Sequence, residues 1–166
     1  GYIETLSLED DVISEGIGED AFAFGASGEY FLTDLLSFTV GGAFVAFDDD
    51  DEFRQRVEDF YGDDSVETSD VQGLQLFVDF GQTFTFGAER NAFLTLRGGA
   101  SEFAFTERSI SGCSDCRDED VDVDGGVYGL VGVGANINRL QLSLQVLQYA
   151  SGDQKNGVRF SVNYRL

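Results

Sequence analysis

An acidic run in the second half of the chain has the spacing of a calcium ligand set. Four of its residues match the opening D-x-D-x-D-G of a calcium loop: Asp120, Asp122, Asp124 and Gly125. Asp118 lies two positions earlier and would add a carboxylate. The glutamate that closes such a loop is missing, because Val131 occupies its position. The run predicts either a Ca²⁺ site or a solvated acidic loop. Ca²⁺ is the one candidate cofactor that the sequence indicates. Residues 48–52 form a second acidic cluster with the same two interpretations.

The two cysteines of the chain, Cys113 and Cys116, form a C-x-x-C pair. A redox role would need a thioredoxin-like βαβ context, which the pattern does not provide. A zinc site would need further Cys or His ligands, and the sequence has none. We therefore predict a disulfide at the tip of an exported loop. Closing so short a loop contributes at most about 2 kcal/mol by chain entropy.

The composition argues against catalysis and against nucleic acid as a partner. The sequence contains no histidine, which excludes Ser-His-Asp and Cys-His sites within the chain. Carboxylates are abundant, but nothing in the pattern sets a pair of them in a pocket. The formal net charge is −21, whereas binding to phosphate backbones needs Lys and Arg. We therefore expect a protein that is not an enzyme and has no nucleic-acid partner.

The last nine residues, 158–166, carry the clearest strand pattern. One face would hold Val158, Phe160, Val162, Tyr164 and Leu166, and the other Arg159, Ser161, Asn163 and Arg165. A period of two is the strand period, because successive side chains point to opposite faces. Nine tilted residues at about 3.3 Å each would cross the hydrocarbon core of a thin bilayer. This segment therefore suggests a strand with one face toward lipid and one toward a polar lumen.

Seven earlier segments alternate in the same way. We predict strands over residues 2–8, 21–32, 35–47, 73–86, 92–105, 126–137, 140–149 and 158–166. The alternation is imperfect in the first segment. It slips near Glu102, where we predict a β-bulge. The apolar parity is expected to face outward, for example at Phe38, Leu76, Leu142 and Phe160.

The connections between these segments are alternately long and short. The short connections are residues 33–34, 87–91 and 138–139, and the long ones are 9–20, 48–72, 106–124 and 150–157. Consecutive antiparallel strands place alternate connections at opposite ends of a barrel. The long loops hold 25 of the 31 acidic residues. One rim is therefore expected to carry nearly all the negative charge.

Residues 52–61 are expected to form a short helix over the barrel mouth or a contact surface for a neighbour. Phe53, Val57, Phe60 and Tyr61 follow helical spacing. The acidic residues near the start of this segment suit the positive end of a helix dipole.

Four charged side chains are expected to point into the barrel: Glu29, Asp79, Arg97 and Arg159. Arg165 is a fifth candidate. Buried charges need partners, so we predict that Glu29 and Asp79 pair with Arg97 and Arg159 in a lumen charge network. Structural pairing is the main interpretation, and a proton or ion path is the alternative. An open pore is not expected, because side chains fill the interior of an eight-stranded barrel.

This combination of strand pattern, loop alternation and C-terminal strand resembles the small eight-stranded outer-membrane barrels of the OmpA-transmembrane-domain, OmpX and OmpW type. The resemblance covers the whole chain and implies an all-β, eight-stranded antiparallel up-and-down transmembrane β-barrel, forming one domain over residues 1–166. In that family the final strand usually ends in Phe, where this sequence has Leu166. No signal segment opens the sequence, so an exported chain is expected to be in its mature form here.

The resemblance implies a porin-like protein at the cell surface of a Gram-negative bacterium, located in the outer membrane. Its role would be structural or surface-interacting, with membrane lipid and lipopolysaccharide as partners. Because the acidic rim would repel lipopolysaccharide phosphates, we expect Ca²⁺ or Mg²⁺ to bridge the acidic loops to lipid headgroups or to neighbouring barrels. One alternative is a self-assembling subunit of a surface array or filament, which requires self-association. Another is a soluble, lipocalin-like ligand-binding barrel, which would require the apolar parity to face a central cavity.

Overall fold

Alternating side chains produce eight long strands that pair antiparallel in chain order and close into an up-and-down β-barrel. The computed structural model describes residues 1–10, 17–33, 35–49, 55–58, 64–67, 69–87, 91–110 and 119–164. The barrel strands are β1 (Tyr2–Leu8), β2 (Ile17–Phe31), β3 (Leu36–Asp49), β6 (Ser69–Phe86), β7 (Ala92–Ile110), β9 (Val127–Ile137), β10 (Leu140–Tyr149) and β11 (Gln154–Tyr164). The first and last strands pair with each other and close the barrel. The predicted all-β fold and eight-stranded topology are confirmed.

Three further strands lie at one end of the barrel. β4 (Gln55–Glu58) and β5 (Asp64–Glu67) form a separate antiparallel hairpin, and β8 (Glu119–Asp120) adds to the edge of β7. We call this the loop end. The opposite end, which holds the connections after β2, β6 and β9, is called the turn end.

One predicted tight turn is confirmed at the turn end. Asn138 and Arg139 connect β9 to β10, with Asn138 at a φ of 56°, a left-handed conformation that Asn tolerates.

The predicted helix over residues 52–61 is wrong for the part of this segment that the structure describes. Residues 55–58 are the strand β4, whose Val57 lies opposite Ser65 of β5. An isolated helix of ten residues is marginal in water, whereas two adjacent extended arms satisfy each other's backbone groups. Among the described residues, no helix is both long and apolar enough to cross a membrane.

Several strands extend further toward the loop end than the hydropathy pattern predicts. β2 begins at Ile17 rather than residue 21, and β7 ends at Ile110 rather than residue 105. Ladder hydrogen bonds join backbone groups, so pairing continues through polar pairs such as Gln72 with Glu107. The bulge predicted near Glu102 is confirmed two residues away, at Ala104. It changes the inward parity, so that both Ser101 and Thr106 are buried.

The barrel is strongly staggered. The stagger is measured by starting at Ile3 on β1 and following directly paired residues around the barrel in both directions. Through β2, β3 and β6 the path reaches Phe105 on β7, whereas through β11, β10 and β9 it reaches Leu94 on the same strand. The offset from Leu94 to Phe105 is 11 residues, or 10 once the bulged Ala104 is subtracted. Such a stagger tilts the strands against the barrel axis, by about 35–45° in typical barrels.

Candidate functional site

The interior of the barrel is polar toward the turn end. A cavity of about 1230 Å³ reaches that end, where Thr33, Thr85 and Asn163 line it. Hydroxyl pairs fix parts of its wall: Thr83 and Thr95 share a hydrogen bond of 2.7 Å, and Ser143 and Ser161 share one of 2.6 Å. The side chains inside the turn-end half therefore do not fill the lumen. We call this cavity the vestibule.

Arg97 organises the charged side chains of the vestibule. Its guanidinium forms ion pairs with Glu29 and with Asp79. The distance from Arg97 Nη1 to Asp79 Oδ1 is 3.0 Å. It also donates hydrogen bonds to Thr39 Oγ1 at 2.7 Å and to Ser37 Oγ at 2.6 Å. Arg97 and Asp79 are buried, with 6% and 3% of the side chain exposed, and Glu29 is 20% exposed. The structure therefore brings Glu29, Asp79 and Arg97 together, as one part of the predicted network describes.

Glycine opposite Arg97 makes this arrangement sterically feasible. Gly81 faces Arg97 in the β6–β7 ladder. A Cβ on Gly81 would lie 2.6 Å from Arg97 Cγ, so the arginine side chain occupies space that any other residue would fill. From there it reaches across β6 to the side chains of β3 and β2. The second carboxylate oxygen of Asp79 accepts a hydrogen bond of 3.3 Å from the Tyr128 hydroxyl.

Arg159 forms a separate pair deeper in the barrel. Its Nε lies 2.7 Å from Oε2 of Glu4, and both side chains are almost fully buried. The guanidinium also sits between two aromatic rings, 4.6 Å from the centroid of Tyr2 and 4.4 Å from that of Phe77. Such contacts stabilise a desolvated cation.

The prediction that Arg159 pairs with Glu29 or Asp79 is wrong. Glu4 lies directly opposite Arg159 where β1 and β11 close the barrel, so it is the nearest carboxylate. Glu4 was not among the inward charges that the sequence pattern predicted. The available signal was parity, since Glu4 alternates in step with Leu6 and Leu8, which are also buried inside.

The interior toward the loop end is an apolar core. Its buried side chains include Leu6, Leu8, Ile17, Val45, Phe47, Val71, Val121, Val123 and Leu147. Val121 and Val123 belong to the segment after β8, which is tied to the barrel by a hydrogen bond from Val121 N to Thr106 O at 3.0 Å. The loop-end half of the interior is therefore filled, as expected for an eight-stranded barrel.

The predicted calcium ligands lie in this same segment. Asp120, Asp122 and Asp124 are exposed, in alternation with the two buried valines. No group of three or more His, Cys, Asp or Glu within the described residues is arranged to hold a metal ion. The segment is extended, so the aspartates face outward while Val121 and Val123 between them pack in the core. Asp118, Cys113, Cys116 and residues 50–54 lie outside the described residues, so the disulfide stays a prediction.

Exposed large apolar side chains lie on the outer surface of all eight barrel strands, although Thr5 on β1 and Glu102 on β7 are also exposed. Of the residues expected to face outward, Leu76 and Phe160 are 51% and 43% exposed, and Phe38 and Leu142 are half-buried. The ring of Phe38 stacks on that of the exposed Tyr30 at 5.1 Å. The apolar parity therefore faces away from the barrel axis.

On β6 the apolar surface is about as tall as a bilayer core. Outward side chains of β6 are apolar from Leu74 to Phe86, apart from Gln82. With strands tilted by about 40°, these thirteen positions span roughly 30 Å along the barrel axis. Aromatic side chains lie near the turn end of this surface: Tyr30, Phe31, Phe84, Phe86 and Tyr164.

Comparisons with protein-family models, with curated proteins and with solved structures found no match.

Proposed function

We propose that this chain is a non-enzymatic transmembrane β-barrel of a bacterial outer membrane, with a structural or surface-interaction role. The observation that carries the proposal is the distribution of polarity: large apolar side chains are exposed on the outside, whereas charged and hydroxyl side chains line the turn-end half of the interior. Soluble monomers rarely expose contiguous apolar patches larger than a few hundred Å². In lipid the same apolar surface faces hydrocarbon instead of water. A closed barrel is also compatible with lipid because every strand is paired and no edge is exposed to hydrocarbon.

The two ends of the barrel support an orientation for this proposal. Outer-membrane barrels place short turns in the periplasm and long loops outside. The turn end carries aromatic residues such as Tyr30 and Tyr164, which suit the interface between lipid and water. In this orientation the acidic loops would lie at the cell surface and the vestibule would open to the periplasm.

Heat-modifiable mobility tests the proposal most directly. We expect the chain to partition with outer membranes, to need detergent for extraction, and to migrate differently on a gel before and after boiling. The physical reason is that a paired barrel in detergent stays folded until heat breaks its ladders. Release into buffer without detergent would contradict the proposal and favour the soluble, lipocalin-like barrel. Large ordered particles after mild extraction would favour the self-assembling subunit.

A second prediction concerns divalent cations at the acidic rim. Like charges on the loops and on lipopolysaccharide phosphates repel unless Ca²⁺ or Mg²⁺ bridges them. We therefore expect EDTA to lower the melting temperature of the barrel in lipopolysaccharide-containing membranes, and re-added Ca²⁺ to restore it. The control is the same barrel in vesicles of neutral phospholipid, where EDTA should change little. Equal melting temperatures with and without EDTA in both membranes would remove this idea.

A further inference from the structure

Four polar side chains, one of them the Glu4 of the Arg159–Glu4 pair, are buried in the interior of the barrel. They are Glu4, Gln75, Tyr149 and Gln154, and each is more than nine-tenths buried. Five of their polar atoms make no hydrogen bond of ordinary geometry within the described part of the chain: Glu4 Oε1, Gln75 Oε1, Gln75 Nε2, Tyr149 OH and Gln154 Nε2. Such atoms are rare in native proteins, because each costs about 1–3 kcal/mol when left unpaired.

The kinds of atom identify the ligand that would satisfy them. The amide nitrogens of Gln75 and Gln154 donate hydrogen bonds, whereas the carboxylate of Glu4 accepts them. A metal cation would be disfavoured by the two amide N–H donors, and an anion would be repelled by the Glu4 carboxylate. A water molecule both donates and accepts, and it needs two to four polar partners.

The side chains are close to one another. Ser101 Oγ donates a hydrogen bond of 3.1 Å to Gln154 Oε1, and the Tyr149 hydroxyl lies near both Ser101 and Gln75. Gly157 faces Glu4, and a Cβ there would lie 3.0 Å from Glu4 Oε1. Glu4 Oε1 therefore lies so close to the backbone of β11 that only glycine fits opposite it.

We propose that this cluster is a buried water site, in which internal water molecules bridge Glu4, Gln75, Tyr149 and Gln154. The bound water hydrates the free oxygen of Glu4 and so supports the ionised Arg159–Glu4 pair above an otherwise apolar core. The site lies wholly inside the barrel. It is therefore independent of whether lipid or water surrounds the outer surface.

Replacing one glutamine tests the site in the folded barrel. If water bridges the cluster, Gln75→Leu breaks hydrogen bonds that are made, and the urea midpoint of unfolding falls. The control is Gln141→Leu, the same change at a residue that lines the open vestibule, where the midpoint should move less. If the atoms of Gln75 are truly unpaired, the substitution removes a desolvation cost and the midpoint rises instead. That rise would overturn the proposal.

A direct measurement on the unsubstituted chain covers the case in which Gln75→Leu fails to fold. We expect a high-resolution structure of the barrel in detergent to show ordered water within 3.5 Å of at least two of these side chains, a distance that allows a hydrogen bond. Gly157→Ala should displace Glu4 Oε1 and with it the water that this oxygen binds, whereas Gly129→Ala should not, because a Cβ on Gly129 would have no atom within 4 Å. Direct side-chain pairing with no water between the groups would refute the site.

Discussion

Replacing Arg159 with Met is expected to lower the free energy of unfolding by about 3–5 kcal/mol, because it leaves Glu4 as an uncompensated buried charge. The pair is almost fully enclosed, so bulk water cannot replace the lost partner. The substitution also removes the cation held between the rings of Tyr2 and Phe77. Urea unfolding of the refolded chain, followed by circular dichroism, measures the change.

The double variant separates the buried charge from simple loss of packing. With Glu4→Gln added to Arg159→Met, no charge remains unpaired, and we expect much of the stability to return. Lys155→Met is the control, since Lys155 forms its ion pairs with Glu9 and Asp10 at the exposed rim and should contribute little. A double variant as unstable as Arg159→Met alone would contradict the role assigned to the charge.

Replacing Val78 with Arg is expected to destabilise the barrel by about 2–4 kcal/mol in phospholipid vesicles, the cost of an arginine on the lipid face near the bilayer midplane. Val78 is exposed on the outward face of β6, in the middle of the apolar surface. Reversible unfolding by urea in the presence of vesicles provides the measurement.

Gln72→Arg is the matched control for this prediction. Gln72 lies on the same face of the same strand, six residues nearer the loop end and beyond the apolar surface. A charge near the interface costs only about 0–1 kcal/mol, so the two variants should differ clearly. In a water-soluble barrel both positions would be ordinary surface sites, and each change would stay within about 0.5 kcal/mol. That result would exclude the transmembrane proposal.

The barrel and the direction of its faces follow from local sequence patterns. Alternation has a period of two within each segment, so residues such as Leu76 and Phe160 show which face is apolar without knowledge of their neighbours. Tight turns are equally local, and Asn138-Arg139 connects two strands where the sequence predicts it. A slip in parity likewise indicated a bulge close to its true position at Ala104.

Local patterns were less informative where one alternation has two meanings. In residues 120–124 acidic and apolar residues alternate, and the aspartates match a ligand spacing. The structure uses the alternation differently, because Val121 and Val123 enter the core while the aspartates between them face outward. The core needed these valines, but nothing local shows that the segment returns to the barrel.

The partners of the buried charges depend on tertiary structure alone. Glu4 and Arg159 are 155 residues apart, and they meet only because the first strand pairs with the last in one register. Arg97 reaches Glu29 across two intervening strands, over the space left by Gly81. A strand's faces are set by its own residues, whereas the neighbours of an inward side chain are set by the stagger of all eight ladders together. For this reason the sequence identified Asp79, Arg97 and Arg159 among the inward charges but not Glu4, and the closed barrel decided how the charges pair and where the interior stays open.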